Sequence, residues 1–167
     1  MACQTLVERH LGRTTSFAQR MLASRPDAED AAQEVFLRVW SAAPRWKAGT
    51  ARFTTWLHRV AMNVCLDRIA RRRETTSDIP DVADHRAGPV DALAESETAR
   101  HVRTALATLP ETQRVAVTLC HFQGLRNDEA AEVIGVSVEA LESLLARGRR
   151  TLRAQLRQIA PALLGNA

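Results

Sequence analysis

The stretch GLRNDEAAEVIGVSVEALESLLARGRRTLRAQL, residues 124–156, decides how the chain is read. Its apolar residues recur at three- and four-residue spacing, and a glycine interrupts the pattern once. That describes two helices joined by a tight turn over 127–145, the arrangement that lays its second helix in the major groove of DNA. Asn127 is expected to cap the first helix, with Asp128 and Glu129 in its first turn. Ala130 and Ala131 are small where the second helix must cross. Gly135 supplies the left-handed residue of the turn, Val136 plugs it, and Ser137 caps the second helix. Leu141 and Leu145 anchor that helix to the first. An αα-corner that binds no DNA would carry similar spacing, so the motif alone leaves both readings open.

The outward face of the second helix holds Glu139, Glu142, Ser143, Ala146, Arg149, Arg150 and Arg153, with Arg147 nearby. Arginines there neutralise phosphates. The two glutamates either accept from cytosine amino groups or simply favour the positive helix start. Gly148 lies mid-helix, which costs about 1 kcal/mol relative to alanine and points to a close contact or a bend.

Working outward, the rest of the 167-residue chain also reads as helix. Strand-type alternation is absent. Residues 4–23 show loosely helical apolar spacing. Pro26 and Asp27 open a second helix with a core stripe of Ala28, Ala31 or Ala32, Val35 and Val39, flanked by Phe36 and Trp40 and ended by Pro44. A loop follows at 44–51. Helix resumes near Phe53 and runs to about Arg73, burying Phe53, Trp56 or Leu57, Val60, Ala61, Val64 and Ile69. Residues 75–95, with Pro80, Gly88 and Pro89 among acids, form a linker by composition. Further helices are expected over about 92–108 and over 111–123, the latter with Val115, Val117, Leu119 and Phe122 inside. The expected fold is therefore all-α. Two small helical domains, 1–74 and 96–160, are joined by a flexible acidic linker and followed by a tail at 161–167, and the second domain contains the helix-turn-helix.

Charge falls in blocks. The net charge is +4 and the isoelectric point about 9.7, which leans toward a polyanionic partner. Residues 45–73 carry a net +7, whereas 27–43 carry −3 and 74–98 carry −6. Five of the seven aromatic residues (Phe36, Trp40, Trp46, Phe53 and Trp56) lie in or beside the basic block. Flat rings beside arginines suit single-stranded nucleic acid, with bases stacked and phosphates gripped. Four of these rings also have the spacing of core residues. Trp46, in a loop beside Lys47, is the ring best placed to stack. Asn63 offers both a donor and an acceptor to a base edge and shares a stripe with Arg59 and Asp67. Arg71, Arg72 and Arg73 then either hold phosphates or form a solvated helix end. Asp30, Gln33 and Glu34 share one side of their helix, an acidic face that is either solvated or docks a basic protein.

Several classes are excluded. Cys3, Cys65 and Cys120 are too few for a disulfide framework, and the neighbours Cys120 and His121 point too far apart to chelate a metal. No metal and no cofactor is expected. There is no phosphate-cradling glycine loop or nucleophile elbow, so no enzyme or small-molecule substrate is expected. No apolar run approaches the roughly 20 residues of a membrane span, and MACQTLVERHLGR lacks a signal-peptide core. The expected location is cytoplasmic.

Three ordered patterns carry a family resemblance: DAEDAAQEVFLRVW, FTTWLHRVAMNVCLDRIARRR, and LATLPETQRVAVTLCHFQGLRNDEAAEVIGVSVEALESLLARGRRTLR. Together they resemble an extracytoplasmic-function sigma factor of bacterial RNA polymerase, over about residues 5–157. The resemblance implies a promoter-specificity subunit that binds the clamp helices and flap of core polymerase and promoter DNA, under an anti-sigma factor that in such proteins is often membrane-bound. It implies that Asp30, Gln33 and Glu34 meet the clamp helices. It places Ala42, Trp46 and Asn63 around a flipped −10 base, with Lys47 and Arg59 beside them and Arg71 to Arg73 on phosphates. It gives Ser143, Arg147, Arg149 and Arg150 to the −35 element. RNDEAAE at 126–132 and SVEALESLLARGR at 137–149 depart from the family's common SYEEIAE and PVGTVKSRLHRAR, with Glu142 and Leu144 where basic residues are usual and Cys120 where one is frequent. Two other readings compete. One is a sigma mimic that occupies an anti-sigma factor without reading DNA. The other is a stand-alone helix-turn-helix repressor binding a palindrome as a dimer.

Overall fold

The structure, a computed structural model, describes residues 2–47, 49, 52–76, 96–159 and 161. All described elements are helical, and no strand occurs among the described residues. The all-α expectation holds. The chain divides into two compact units, one built from the helices before residue 77 and one from those after residue 95.

The first unit is a three-helix bundle: α1 (Ala2–Leu22), α2 (Arg25–Ala42) and α3 (Phe53–Thr76). Each helix packs against the other two. The turn between α1 and α2 places Ala23 at φ +56°, left-handed backbone that costs a non-glycine residue about 1–2 kcal/mol. Ser24 then caps α2, its hydroxyl accepting from the Asp27 N–H at 3.4 Å. The alanine stripe Ala28, Ala31 and Ala32 is buried, so α2 approaches its neighbours closely, with Phe17, Met21 and Val35 filling the space between. Ala42 ends α2, and Pro44 lies in a 3₁₀ turn, Ala43–Arg45, that continues the chain past the helix end.

Two expectations for α3 are corrected. It runs through Thr76 rather than stopping near Arg73, so residues 75 and 76, assigned from composition to the linker, are helical. The remainder of the linker and the tail beyond Pro161 lie outside the described residues. The buried face is also different. Leu57, Ala61 and Val64 are inside as expected, but Thr55, Met62 and Cys65 join them while Phe53, Trp56, Val60 and Ile69 are only half-buried. A helix wedged against two partners buries a broader and rotated arc than one apolar stripe suggests.

The second unit contains α4 (Glu97–Ala107), α5 (Glu111–Val117), α6 (Asn127–Ile134) and α7 (Val138–Ile159). Ser96 caps α4, accepting from the Ala99 N–H at 3.1 Å. Pro110 stands just before α5, where a missing N–H is harmless. The expected helix over 111–123 is present in extent but not in period. After Val117 it widens into a π turn, Thr118–Phe122, closed by Gln123 N–H donating to Thr118 O at 3.0 Å. The widening keeps Leu119 in the core but turns Phe122 out to 36% exposure, where the sequence had placed it inside.

The helix-turn-helix is α6, its turn and the start of α7. Its first cap lies one residue earlier than expected. The Arg126 backbone N–H donates to Glu129 Oε2 at 3.0 Å, and Asn127 is already helical. Gly135 adopts φ +82° as required, and its N–H and that of Val136 both donate to Ala131 O. Val136 is 36% exposed, so backbone bonds rather than a side-chain plug close the turn. Ser137 caps α7, accepting from Ala140 N–H at 3.1 Å, and Leu141 and Leu145 are fully inside. Gly148 is a close contact. A Cβ there would meet Val117 Cγ2 at 2.8 Å, so α7 crosses α5 with no room for a methyl group.

Candidate nucleic-acid interface

The interface is built from α3 and the turn that precedes it. Residues seven apart on a helix return to the same side, so Trp56 and Asn63 share a face about 10 Å apart along the axis. Asn63, Arg59 and Asp67 are exposed on that side. Trp46 comes back onto the start of α3, its ring centroid 4.9 Å from Trp56 and 6.0 Å from Phe53, and the latter two lie 5.9 Å apart. The three half-buried rings thus form one cluster, tilted as aromatic quadrupoles prefer. Trp46 is part of a platform rather than an isolated ring. Ala42 is half-buried at the end of α2, and Lys47 is exposed.

Electrostatics ties this face to α2. Arg38 Nη2 lies 3.7 Å from Asp67 Oδ2 and donates to Glu34 Oε1 at 2.7 Å. Arg68 donates to Glu34 Oε2 through Nη2 at 3.0 Å and through Nε at 3.3 Å. Partial burial would raise the Glu34 pKa, but the hydrogen bonds from Arg68 and Arg38 outweigh it and hold the carboxyl below its ordinary value. Glu34 therefore faces α3, while Asp30 and Gln33 are exposed. Leu37, which the sequence reading passed over, is 64% exposed on the side of Asp30 and Gln33. Its signal was available in the helical spacing 30, 33, 37.

The arginine triplet is split. Arg71 and Arg73 are exposed, whereas Arg72 forms an ion pair with Asp27 in the first turn of α2. In the second unit Ser143, Arg147, Arg149 and Arg150 are all exposed on α7, as are Glu139 and Glu142. Burial raises the Cys120 thiol pKa and the Arg149 charge partly offsets this, which puts Arg149 over the π turn. Burial drives Cys65 to about 12, an inert packing thiol. Among the described residues no cluster of three metal-ligating side chains occurs, and no helix is long and apolar enough to cross a membrane.

Comparison with known proteins agrees with this layout. The Sigma-70 region 2 family model matches residues 6–75, and the Sigma-70, region 4 model matches 99–152. The ECF RNA polymerase sigma factor SigM of Mycobacterium tuberculosis is 34% identical over 153 residues, covering 90% of this chain and 75% of that protein. SigE of Mycolicibacterium smegmatis, also an ECF RNA polymerase sigma factor, is 33% identical over 153 residues, and the match covers 89% of this chain but only 59% of SigE. Among solved structures, CnrH in complex with the cytosolic domain of CnrY superposes with a TM-score of 0.70 at 26% identity, covering 94% of this chain and 88% of CnrH. RpoE bound to the anti-sigma factor NepR, from Bartonella quintana, shares the fold at a TM-score of 0.75 and 23% identity, covering 92% and 96%.

Proposed function

Because the chain belongs to the extracytoplasmic-function RNA polymerase sigma factors, we propose that it is a promoter-specificity subunit that joins core polymerase and directs it to promoters. It performs no bond chemistry of its own and acts in the cytoplasm, where polymerase and promoter meet. The observation that carries this reading is the α3 face, with a three-ring platform at one end and the exposed Asn63 two turns further on. Rings take unstacked bases, and a carboxamide distinguishes their edges. Ala42, Trp46 and Asn63 border the −10 base, Lys47 and Arg59 flank it, and Arg71 and Arg73 take phosphates. On α7, Ser143, Arg147, Arg149 and Arg150 meet the −35 duplex.

Core polymerase meets the other side of the first unit, at Asp30, Gln33 and Leu37. Glu34 contributes there by holding Arg38 and Arg68 rather than by direct contact. CnrH was captured with the cytosolic domain of another protein, and a protein partner that restrains this chain in a similar way belongs to the proposal. The domain assignment follows the same plan, with −10 recognition in the residues before the linker and −35 recognition after it.

Run-off transcription tests the reading. Core polymerase with the full chain should initiate from a subset of genomic promoter fragments, and core alone should not. Failure to bind core polymerase, with retained binding to a restraining partner, would favour the sigma-mimic reading, which the exposed Glu139 and Glu142 on the reading helix also suit.

A further inference from the structure

Two matched ladders face one another between α1 and α3. His10, Arg13, Thr14 and Phe17 recur at one helical spacing, and Thr54, Leu57, His58 and Ala61 recur at the same one. They line a cleft enclosing about 310 Å³ of non-atom space that opens to solvent. The floor is closed and mainly apolar: Phe17, Leu57, Ala61 and Thr14 are buried. The rim is polar, with His10 and His58 half-buried and Arg13 and Thr54 exposed. His58 is oriented by its Nδ1–H donating to Thr54 O at 2.7 Å, which makes Nε2 the acceptor of the neutral ring.

We propose that this α1–α3 cleft is a second nucleotide subsite, receiving a base of the open promoter strand beside the one at the Trp46 platform. The inference rests on the promoter-opening function above and extends it to a site that no family residue assignment covers. Three observations select this occupant. The cleft is continuous with the platform, since the His10 ring lies 5.4 Å from Phe53, which touches both Trp46 and Trp56. No acidic residue lines it, and Arg13 stands at its mouth, so the local charge favours a phosphate over an acidic side chain. An apolar floor under a hydrogen-bonding rim suits a flat heterocycle, whose face is apolar and whose edge is not. Partial desolvation, with Arg9, Arg13 and His58 nearby, lowers the His10 pKa and keeps its ring neutral, the form that stacks and accepts.

Abasic scanning tests the proposal. Core polymerase loaded with the full chain would be titrated against fork-junction DNA from a promoter found by run-off, with one base at a time removed from the single-stranded non-template arm. The unsubstituted chain should lose about tenfold in affinity at two separate positions, the scale of one stacked base. His10→Ala, and separately the surface change Arg13→Ala, should abolish the penalty at one position while Trp46→Ala abolishes it at the other. If both cleft variants keep both penalties, the subsite is overturned while promoter reading stands. If they weaken polymerase association and leave the penalties intact, the cleft holds a protein side chain and the proposal fails. If Trp46→Ala also changes nothing, the platform reading itself falls.

Discussion

Glu34 and Arg68 lock α2 to α3. The two Arg68 nitrogens meet Glu34 Oε2 at 3.0 and 3.3 Å, and Arg38 holds the other carboxylate oxygen at 2.7 Å. The helix that offers its outer side to polymerase is thereby fastened to the helix that faces DNA. Glu34→Gln should destabilise the chain by about 1–2 kcal/mol, since hydrogen bonds to a charged group are the stronger kind. Gln33→Ala should leave stability within about 0.5 kcal/mol and weaken polymerase association instead. Urea unfolding beside a polymerase-binding titration separates the two, and the reverse pattern would count against the assignment of Glu34.

The same carboxylate predicts a pH dependence. Its folded pKa lies below the unfolded value, so its contribution is complete above the ordinary glutamate pKa of about 4.3 and is lost as pH falls through the folded value. The stability difference between the unsubstituted chain and Glu34→Gln should be flat from neutral pH down to about 4.5 and shrink below it.

Gly148→Ala should destabilise the second unit by about 1–3 kcal/mol, although alanine is the better helix former by about 1 kcal/mol. The added methyl would lie 2.8 Å from Val117 Cγ2. Adding Val117→Ala should recover part of the loss, and thermal melts of the single and double variants provide the check.

Ala23→Gly should stabilise the first unit by about 1 kcal/mol by removing the strain of its positive φ. An unchanged melting temperature would show that the α1–α2 turn bears no such strain.

Arg71→Ala should reduce the salt dependence of promoter binding by about one phosphate contact and leave stability untouched. Arg72→Ala should also lower stability by roughly 0.2–1 kcal/mol, because its exposed partner Asp27 loses an ion pair. Salt titrations of DNA affinity with denaturant midpoints distinguish the two neighbours.

The helical class, the Gly135 turn, the Ser137 cap and the anchors Leu141 and Leu145 were legible in the sequence because each depends on local chemistry. What escaped depends on geometry between distant segments. Arg68 lies 34 residues from Glu34, and His10 and His58 stand on separate helices, so no spacing rule brings either pair together. Phe122 and Val136 were misplaced for a related reason. A π turn and a backbone-closed corner change which way a side chain points without changing the apolar pattern that led to the assignment.

That π turn carries a genetic consequence. Thr118–Phe122 winds more slowly than the helix it continues, as if one residue had been inserted into it. Loss of a single codon there would not merely shorten the domain. It would swing everything downstream by about 100°, one residue's worth of rotation, so an in-frame deletion that preserves every contact residue could still blind the chain to its target.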